Sequence, residues 1–367
     1  MLVKISNRFF KTLKPRINVK LRHPVQRCIR TMRHSSKLKS LTLALVPLLA
    51  LGLVGCQSGA GSGGTTTGGA VAKNGKKFKV GVSIPAADHG WTAGIKYWAD
   101  QATKDNPDIE WIIQDAKEPN AQISDLENMK TQGVDALVIL ATESAPITPI
   151  AKKLHDAGIL IVNVDRGFTE PIADVYIEGD NKAFGTKSAN FIVQKLGGKG
   201  KIVVLEGIPS TVNTDRVTAA KEVFKANPGI QIVAEDSGMW NREKAQGVMQ
   251  NMLVANPQID AIWAADDDMA LGVETALKAA GRDKNIWILG GGCMKDVVKR
   301  MMANDPMFPG EITYPPQMIG YGIETAAAML RAGKDHAKQY TPRHVYLDVE
   351  IVTPDRAKDF YFPDSVY

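Results

Sequence analysis

The sequence predicts an α/β protein built of two similar, doubly wound parallel-sheet lobes. Two observations carry this. From residue 78 onward, short apolar runs rich in β-branched residues alternate with stretches of helical periodicity. Such alternation lays strands side by side in a parallel sheet covered by helices on both faces. The alternation also comes in two consecutive series, the pattern of two lobes, and 367 residues are long enough for both.

In the first series the strand candidates are 78–84, 111–114, 136–140, 159–164 and 175–178; in the second they are 201–206, 230–234, 261–265 and 286–289. Between them, Ile123, Leu126 and Met129 fall three apart on one face of a helix at 120–132. Further helices are expected at 214–227, 241–255 and 268–280. Ligands of open parallel sheets bind outside the carboxyl ends of the strands, so the loops after the strands are where chemistry is sought.

Ahead of the lobes the sequence reads as a targeting segment. Lys37 and Lys39 precede an apolar run at 41–54, followed by Gly55-Cys56. A basic region, a short apolar stretch and small residues before a cut make a signal peptide. A run of roughly 14 residues is short of the ~20 that a spanning helix needs. Leu53-Val54-Gly55-Cys56 resembles the bacterial lipobox, in which the cysteine thiol is acylated, so Cys56 is the expected lipid anchor. Gln57 after it hints at outer-membrane delivery in a double-membrane host. Residues 1–31 form an unusually long basic extension and Met32 opens a signal peptide of ordinary length, so initiation at Met1 and at Met32 both stay open. Residues 57–75, rich in Gly, Ser and Thr, read as a flexible tether. The division is thus 1–55 signal, 56–77 lipidated cysteine and tether, then the lobes.

The net charge of +6 is unevenly placed: residues 1–55 hold twelve Lys/Arg and no Asp or Glu, so the remainder carries −6. A mildly acidic folded part argues against a nucleic-acid surface. Of the three cysteines, Cys28 leaves with the signal and Cys56 takes lipid, so Cys293 stays single and reads as packing.

The loops after the strands are informative. The first carries Ser83-Ile84-Pro85-Ala86-Ala87-Asp88-His89-Gly90-Trp91, and the fourth Val164-Asp165-Arg166. In the second series come Glu206-Gly207-Ile208, Thr214-Asp215-Arg216, Trp240-Asn241-Arg242 and Ala265-Asp266-Asp267-Asp268-Met269-Ala270-Leu271-Gly272. This order and spacing over 78–352 resembles the periplasmic ribose/galactose-type sugar-binding proteins, whose fold is the type I periplasmic binding protein. The resemblance implies a three-stranded hinge near Gly179-Asp180-Asn181, near Tyr314-Pro315-Pro316 and before a strand at 345–352. It puts 78–180 plus 316–345 in the first lobe and 181–315 plus 346–367 in the second. It also implies a monomeric carrier that captures a sugar or polyol and passes it to an ABC permease and its ATPase, with no cofactor and no metal.

Sugars and polyols present many hydroxyls and faint apolar faces, so their sites need multidentate donors, carboxylate acceptors and aromatic plates. Arg166 and Arg216 can donate parallel N–H bonds, and Asp165 and Asp266 can accept. Trp91 and Trp240 can stack from opposite lobes. Ser83, Asp88, His89 and Tyr314 complete the expected ligand set. Against the ribose-binding pattern, the first loop is one residue longer with Asp88 and His89, Gly292 stands where an acidic ligand is expected, and Tyr314 replaces a common Gln. These changes argue against simple ribose. Trp98, Trp111, Trp263 and Trp287 read as core, Asp267 and Asp268 as the start of a helix, and Asp180-Asn181 as a cap or hinge element.

No enzyme is expected. Gly200-Lys201 lacks the phosphate-loop spacing, Gly290-Gly291-Gly292 lacks the dinucleotide spacing, and the six His are scattered. A repressor with the same core would place a helix-turn-helix where this chain has an export signal and tether. A receptor serving chemotaxis or signalling would share the core, and stays open as the alternative.

Overall fold

The computed structural model describes residues 77–367 together with the backbone of Leu2–Ile5. Cys56, the tether and, Leu2–Ile5 apart, the targeting segment lie outside the described residues.

The first lobe holds β1 (Leu2–Ile5), β2 (Lys79–Pro85), β3 (Glu110–Ala116), β4 (Ala136–Ile139), β5 (Leu160–Val164), β6 (Val175–Gly179) and, from late in the chain, β12 (His344–Leu347). They form one parallel sheet in the order β1-β12-β6-β5-β4-β2-β3. Every residue of β4 and β5 is buried, as expected of central parallel strands covered on both faces. The helices are α1 (Gly90–Lys104), α2 (Pro119–Thr131), α3 (Ser144–Asp156), α9 (Met318–Ala332) and α10 (Lys334–Lys338). Of these, α9 packs on β4, β5, β6 and α1.

The second lobe is a parallel sheet of β7 (Gly200–Glu206), β8 (Ile230–Ser237), β9 (Ala261–Ala264) and β10 (Trp287–Leu289) in the order β10-β9-β7-β8. Around it lie α4 (Asn181–Lys195), α5 (Thr211–Ala226), α6 (Arg242–Ala255), α7 (Asp267–Ala279) and α8 (Lys295–Met302). Side chains start several of these helices: Asp180 accepts from Ala183 N, Ser210 from Asn213 N and Asn241 from Lys244 N. A short antiparallel pair, β11 (Glu311–Ile312) with β13 (Ile351–Val352), completes it.

The chain passes from the first sheet to the second lobe at Gly179–Asn181, between β6 and α4, and returns around Pro315-Pro316, between β11 and α9. The third passage falls later than expected. The anticipated strand at 345–352 is two strands: β12 pairs with β6 in the first lobe through Leu347, and β13 pairs with β11 in the second, so the crossing is at 348–350. In both sheets the order reverses beside the first strand, between β2 and β4 and between β7 and β9. These are the switch points at which loops diverge and leave a crevice. Trp263 is fully buried, and Trp98, Trp111 and Trp287 pack against the core.

Candidate functional site

A cleft of about 350 Å³ lies between the lobes, lined by His89, Trp91, Asp165, Arg166, Val212, Arg216, Trp240, Asp266, Gly291 and Tyr314. Eight of these were expected from the sequence; Val212 and Gly291 were not. Val212 stands in the first turn of α5, one turn before Arg216, and Gly291 follows β10.

The first lobe contributes its wall from two strand ends. Trp91 sits in the first turn of α1 and its indole N–H donates to the Tyr314 carbonyl at 3.0 Å. Beyond β5, Asp165 has φ +63°, a left-handed conformation that costs an ordinary residue of order 1 kcal/mol and turns its side chain toward the hinge. There the Tyr314 hydroxyl donates to Asp165 Oδ1 at 2.5 Å. Arg166 is 3% exposed: Nη1 donates to the carbonyls of Ala141 and Thr142 at 3.2 and 2.9 Å, whereas Nε is buried with no hydrogen-bond partner. Asp165 Oδ2 lies 3.9 Å from this Nε, too far for a hydrogen bond, so the buried donor has capacity for an added oxygen. Burial pushes the Asp165 carboxyl up, with Arg166 and Tyr314 opposing, and the same burial lowers Arg166.

The second lobe supplies the opposite wall. Arg216, 4% exposed, donates from Nε to Asn181 Oδ1 at 2.9 Å and from Nη1 to the Ala265 carbonyl at 2.8 Å. Its guanidinium carbon lies 3.9 Å from the Phe184 ring centroid, 4.1 Å from Tyr314 and 5.5 Å from Trp240. Three aromatic rings thus fix the plane of the fork, and none of the described hydrogen bonds uses Nη2. Trp240 and Met239 both have left-handed backbones, φ +55° and +57°, which lay the indole against Gly207. A Cβ at Gly207 would lie 1.8 Å from that ring, so only glycine fits beneath it. Asp266 caps α7, Oδ1 accepting from Met269 N at 2.8 Å. Burial pushes its pKa up to about 7; neighbouring Asp268 adds to this, and His89 opposes.

Two expected ligand residues do not line the cleft. Ser83 alternates along β2 with Val82 and Ile84 of the core, so it faces α2, where its hydroxyl accepts from Gln122 Nε2 at 3.0 Å. The Asp88 side chain is largely exposed and holds the His89 ring through Nδ1 at 2.6 Å; the His89 hydrogen bond draws its pKa down. Asp267 and Asp268 begin α7 as expected, but Asp268 also reaches across the cleft, its Oδ2 accepting from Gly90 N at 2.8 Å. Gly167 N donating to Thr211 Oγ1 at 2.8 Å and Thr211 N donating to Ser144 Oγ at 3.1 Å join the lobes at the other rim. The lobes are therefore closed on one another. The Cys293 thiol is held well above its ordinary pKa by burial, with the Glu311 and Asp267 carboxylates adding to it, consistent with inert packing.

Arginine forks, buried carboxylates and aromatic rings converge here from both lobes, at the carboxyl ends of parallel strands. A profile of the periplasmic binding protein domain matches residues 80–335. The ribose import binding protein of Bacillus subtilis (strain 168) is 30% identical over 263 residues, covering 71% of this chain and 84% of that protein. A xylitol-binding protein of Mycolicibacterium smegmatis is 27% identical over 286 residues, 77% of this chain and 78% of that protein. Among solved structures, an ABC transporter periplasmic solute-binding protein from Actinobacillus succinogenes 130z with bound D-allose superposes with a TM-score of 0.68. It is 27% identical, and the match covers 77% of this chain and 100% of that one. The chain belongs to the periplasmic binding protein family.

Proposed function

We propose that the protein is an extracytoplasmic solute-binding protein that closes on a neutral monosaccharide, polyol or close derivative and delivers it to an ABC-type importer. The observation that carries this reading is the cleft itself. Two guanidinium groups, Arg166 and Arg216, face two carboxyl groups, Asp165 and Asp266, between the indoles of Trp91 and Trp240. The mixture of donors and acceptors suits a dense array of hydroxyls. The ligand set we infer is His89, Trp91, Asp165, Arg166, Arg216, Trp240, Asp266 and Tyr314, with Asp88 holding His89 in place. Relatives named for ribose import and xylitol binding, and a neighbour with bound D-allose, support the same ligand class. Lipidation of Cys56 tethers the protein to a membrane surface, where it works as a monomer beside its permease.

A thermal-shift screen tests the ligand class. A ligand at 100-fold its Kd stabilises by about 2.7 kcal/mol, which raises the melting temperature by several degrees. Pentoses, hexoses and their polyols are expected to include at least one such hit. A silent carbohydrate panel together with a shift from amino acids or peptides refutes the reading.

A further inference from the structure

Beyond β13 the chain does not end at the hinge. Residues 353–367 run back over the second lobe, where a 3₁₀ turn at Ala357–Phe360 packs on α8. Lys295 Nζ in α8 fastens the segment, donating to the carbonyls of Ser365 at 2.6 Å and Pro363 at 3.4 Å. At its end, Tyr367 turns inward and is only 6% exposed.

Three glycines pack against Tyr367, Gly292 and Gly90 against its ring and Gly94, beside Pro316, against its Cβ. A Cβ on Gly292, in the loop after β10, would fall 1.9 Å from the Tyr367 hydroxyl. A Cβ on Gly94 would fall 3.2 Å from Tyr367 Cβ, and one on Gly90 3.3 Å from Cδ2. Gly292 belongs to the second lobe, whereas Gly90 and Gly94 belong to α1 of the first. At φ +134° Gly292 also holds a conformation closed to other residues, so the loop leaves room for the phenol by both shape and size. His89 and Gly291, the chain neighbours of Gly90 and Gly292, line the cleft, so Tyr367 packs against residues next to its wall. Its hydroxyl is buried without a hydrogen-bond partner, and burial beside Asp267, Asp266 and Asp268 keeps it protonated.

We propose that Tyr367 is a positioning residue for ligand retention: carried by the second lobe, its ring crosses to α1 and is fully seated only when the lobes are closed. Opening withdraws Gly90 and Gly94 and wets one face of the ring. Closure therefore gains apolar burial that no ligand group supplies, and the gain holds the loop at Gly291-Gly292 against the end of α1. This inference rests on the solute-binding reading for its consequence in ligand release, but not for the closure it describes.

The test uses the full chain with Tyr367→Ala and Tyr367→Phe. Hydrogen exchange on the ligand-free proteins reads closure alone. Tyr367→Ala is expected to speed exchange several-fold in the first turns of α1 and in the 290–294 loop, leaving β4 and β5 unchanged. Tyr367→Phe, which keeps the ring, is expected to stay within about twofold of the parent. Unchanged α1 exchange in Tyr367→Ala overturns the inference. So does acceleration spread through both lobes, the mark of a residue that only stabilises the fold, and so does a Phe variant as fast as the Ala variant. D-allose and xylitol serve as probes of the second arm. Tyr367→Ala is expected to raise koff about tenfold with kon little changed, and an unchanged koff overturns the proposed role in retention. If neither probe nor any other carbohydrate binds the parent protein, the solute-binding reading fails, and the exchange arm still decides whether Tyr367 bridges the lobes.

Discussion

Replacement of Arg216 by methionine separates its proposed part in ligand affinity from its part in the architecture. The side chain is buried and already gives two hydrogen bonds to the protein, Nε to Asn181 Oδ1 at 2.9 Å and Nη1 to the Ala265 carbonyl at 2.8 Å. Methionine keeps most of the packing against Phe184 and Tyr314, whose rings lie 3.9 and 4.1 Å from the guanidinium carbon, but donates nothing. Two consequences follow. The Asn181 and Ala265 oxygens lose their donor, at about 1–3 kcal/mol for each one left dry, so the ligand-free protein should melt several degrees lower. A ligand oxygen on Nη2 loses a charge-assisted bond worth roughly 1.5–3 kcal/mol, which is about 10- to 150-fold in Kd. Isothermal titration with the best carbohydrate hit gives the second quantity, and scattering with and without ligand reports whether the variant still compacts. A Kd within threefold of the parent, with normal compaction, refutes the placement of the site between Arg166 and Arg216.

Asp266 is expected to make the site pH-sensitive. Its carboxyl is raised from an ordinary 3.8 to about 7 in the fold, so its stabilising effect is complete below 3.8 and is lost as pH rises through about 7. Ligand-free Asp266→Asn should therefore gain melting temperature relative to the parent more at pH 8 than at pH 5, since Asn keeps the cap on Met269 N. In the parent, a ligand hydroxyl that donates to the carboxylate competes with the proton, so affinity should fall below pH 7 and Asp266→Asn should flatten that profile. Glu311, buried beside Asp267, is held well above its ordinary 4.5 and stabilises in the same sense, most at low pH and less as pH rises. Glu311→Gln should flatten the parent's decline in melting temperature toward alkaline pH, and an unchanged slope refutes the assignment. Labelled palmitate should enter the parent chain in cells and not the Cys56→Ser variant; labelling that survives the change refutes the anchor.

Local pattern alone places the residues at the strand ends. Strand–helix alternation requires parallel sheets, and parallel sheets place their loops at one edge. Asp165-Arg166 after β5, Trp240 after β8 and Asp266 after β9 were therefore legible as one wall or the other without coordinates. The three-residue spacing of Ile123, Leu126 and Met129 likewise located α2, in which Leu126 and Met129 are fully buried. Which face a side chain takes at a strand end is settled by the pleat and the neighbouring helix. Only the structure therefore turned Ser83 toward Gln122 and left Asp88 as the support of His89. The place of the third crossing was also hidden, because residues 345–352 look like one strand until β6 and β11 each claim part of it. Most distant from the sequence is Tyr367. Gly90, Gly94 and Gly292 carry no local sign of a shared purpose, and they become one seat only when closure brings α1 and the loop after β10 around the same residue. Local pattern sets which residues reach the cleft edge; contacts between segments hundreds of residues apart have no periodicity to betray them and exist only in the packed chain.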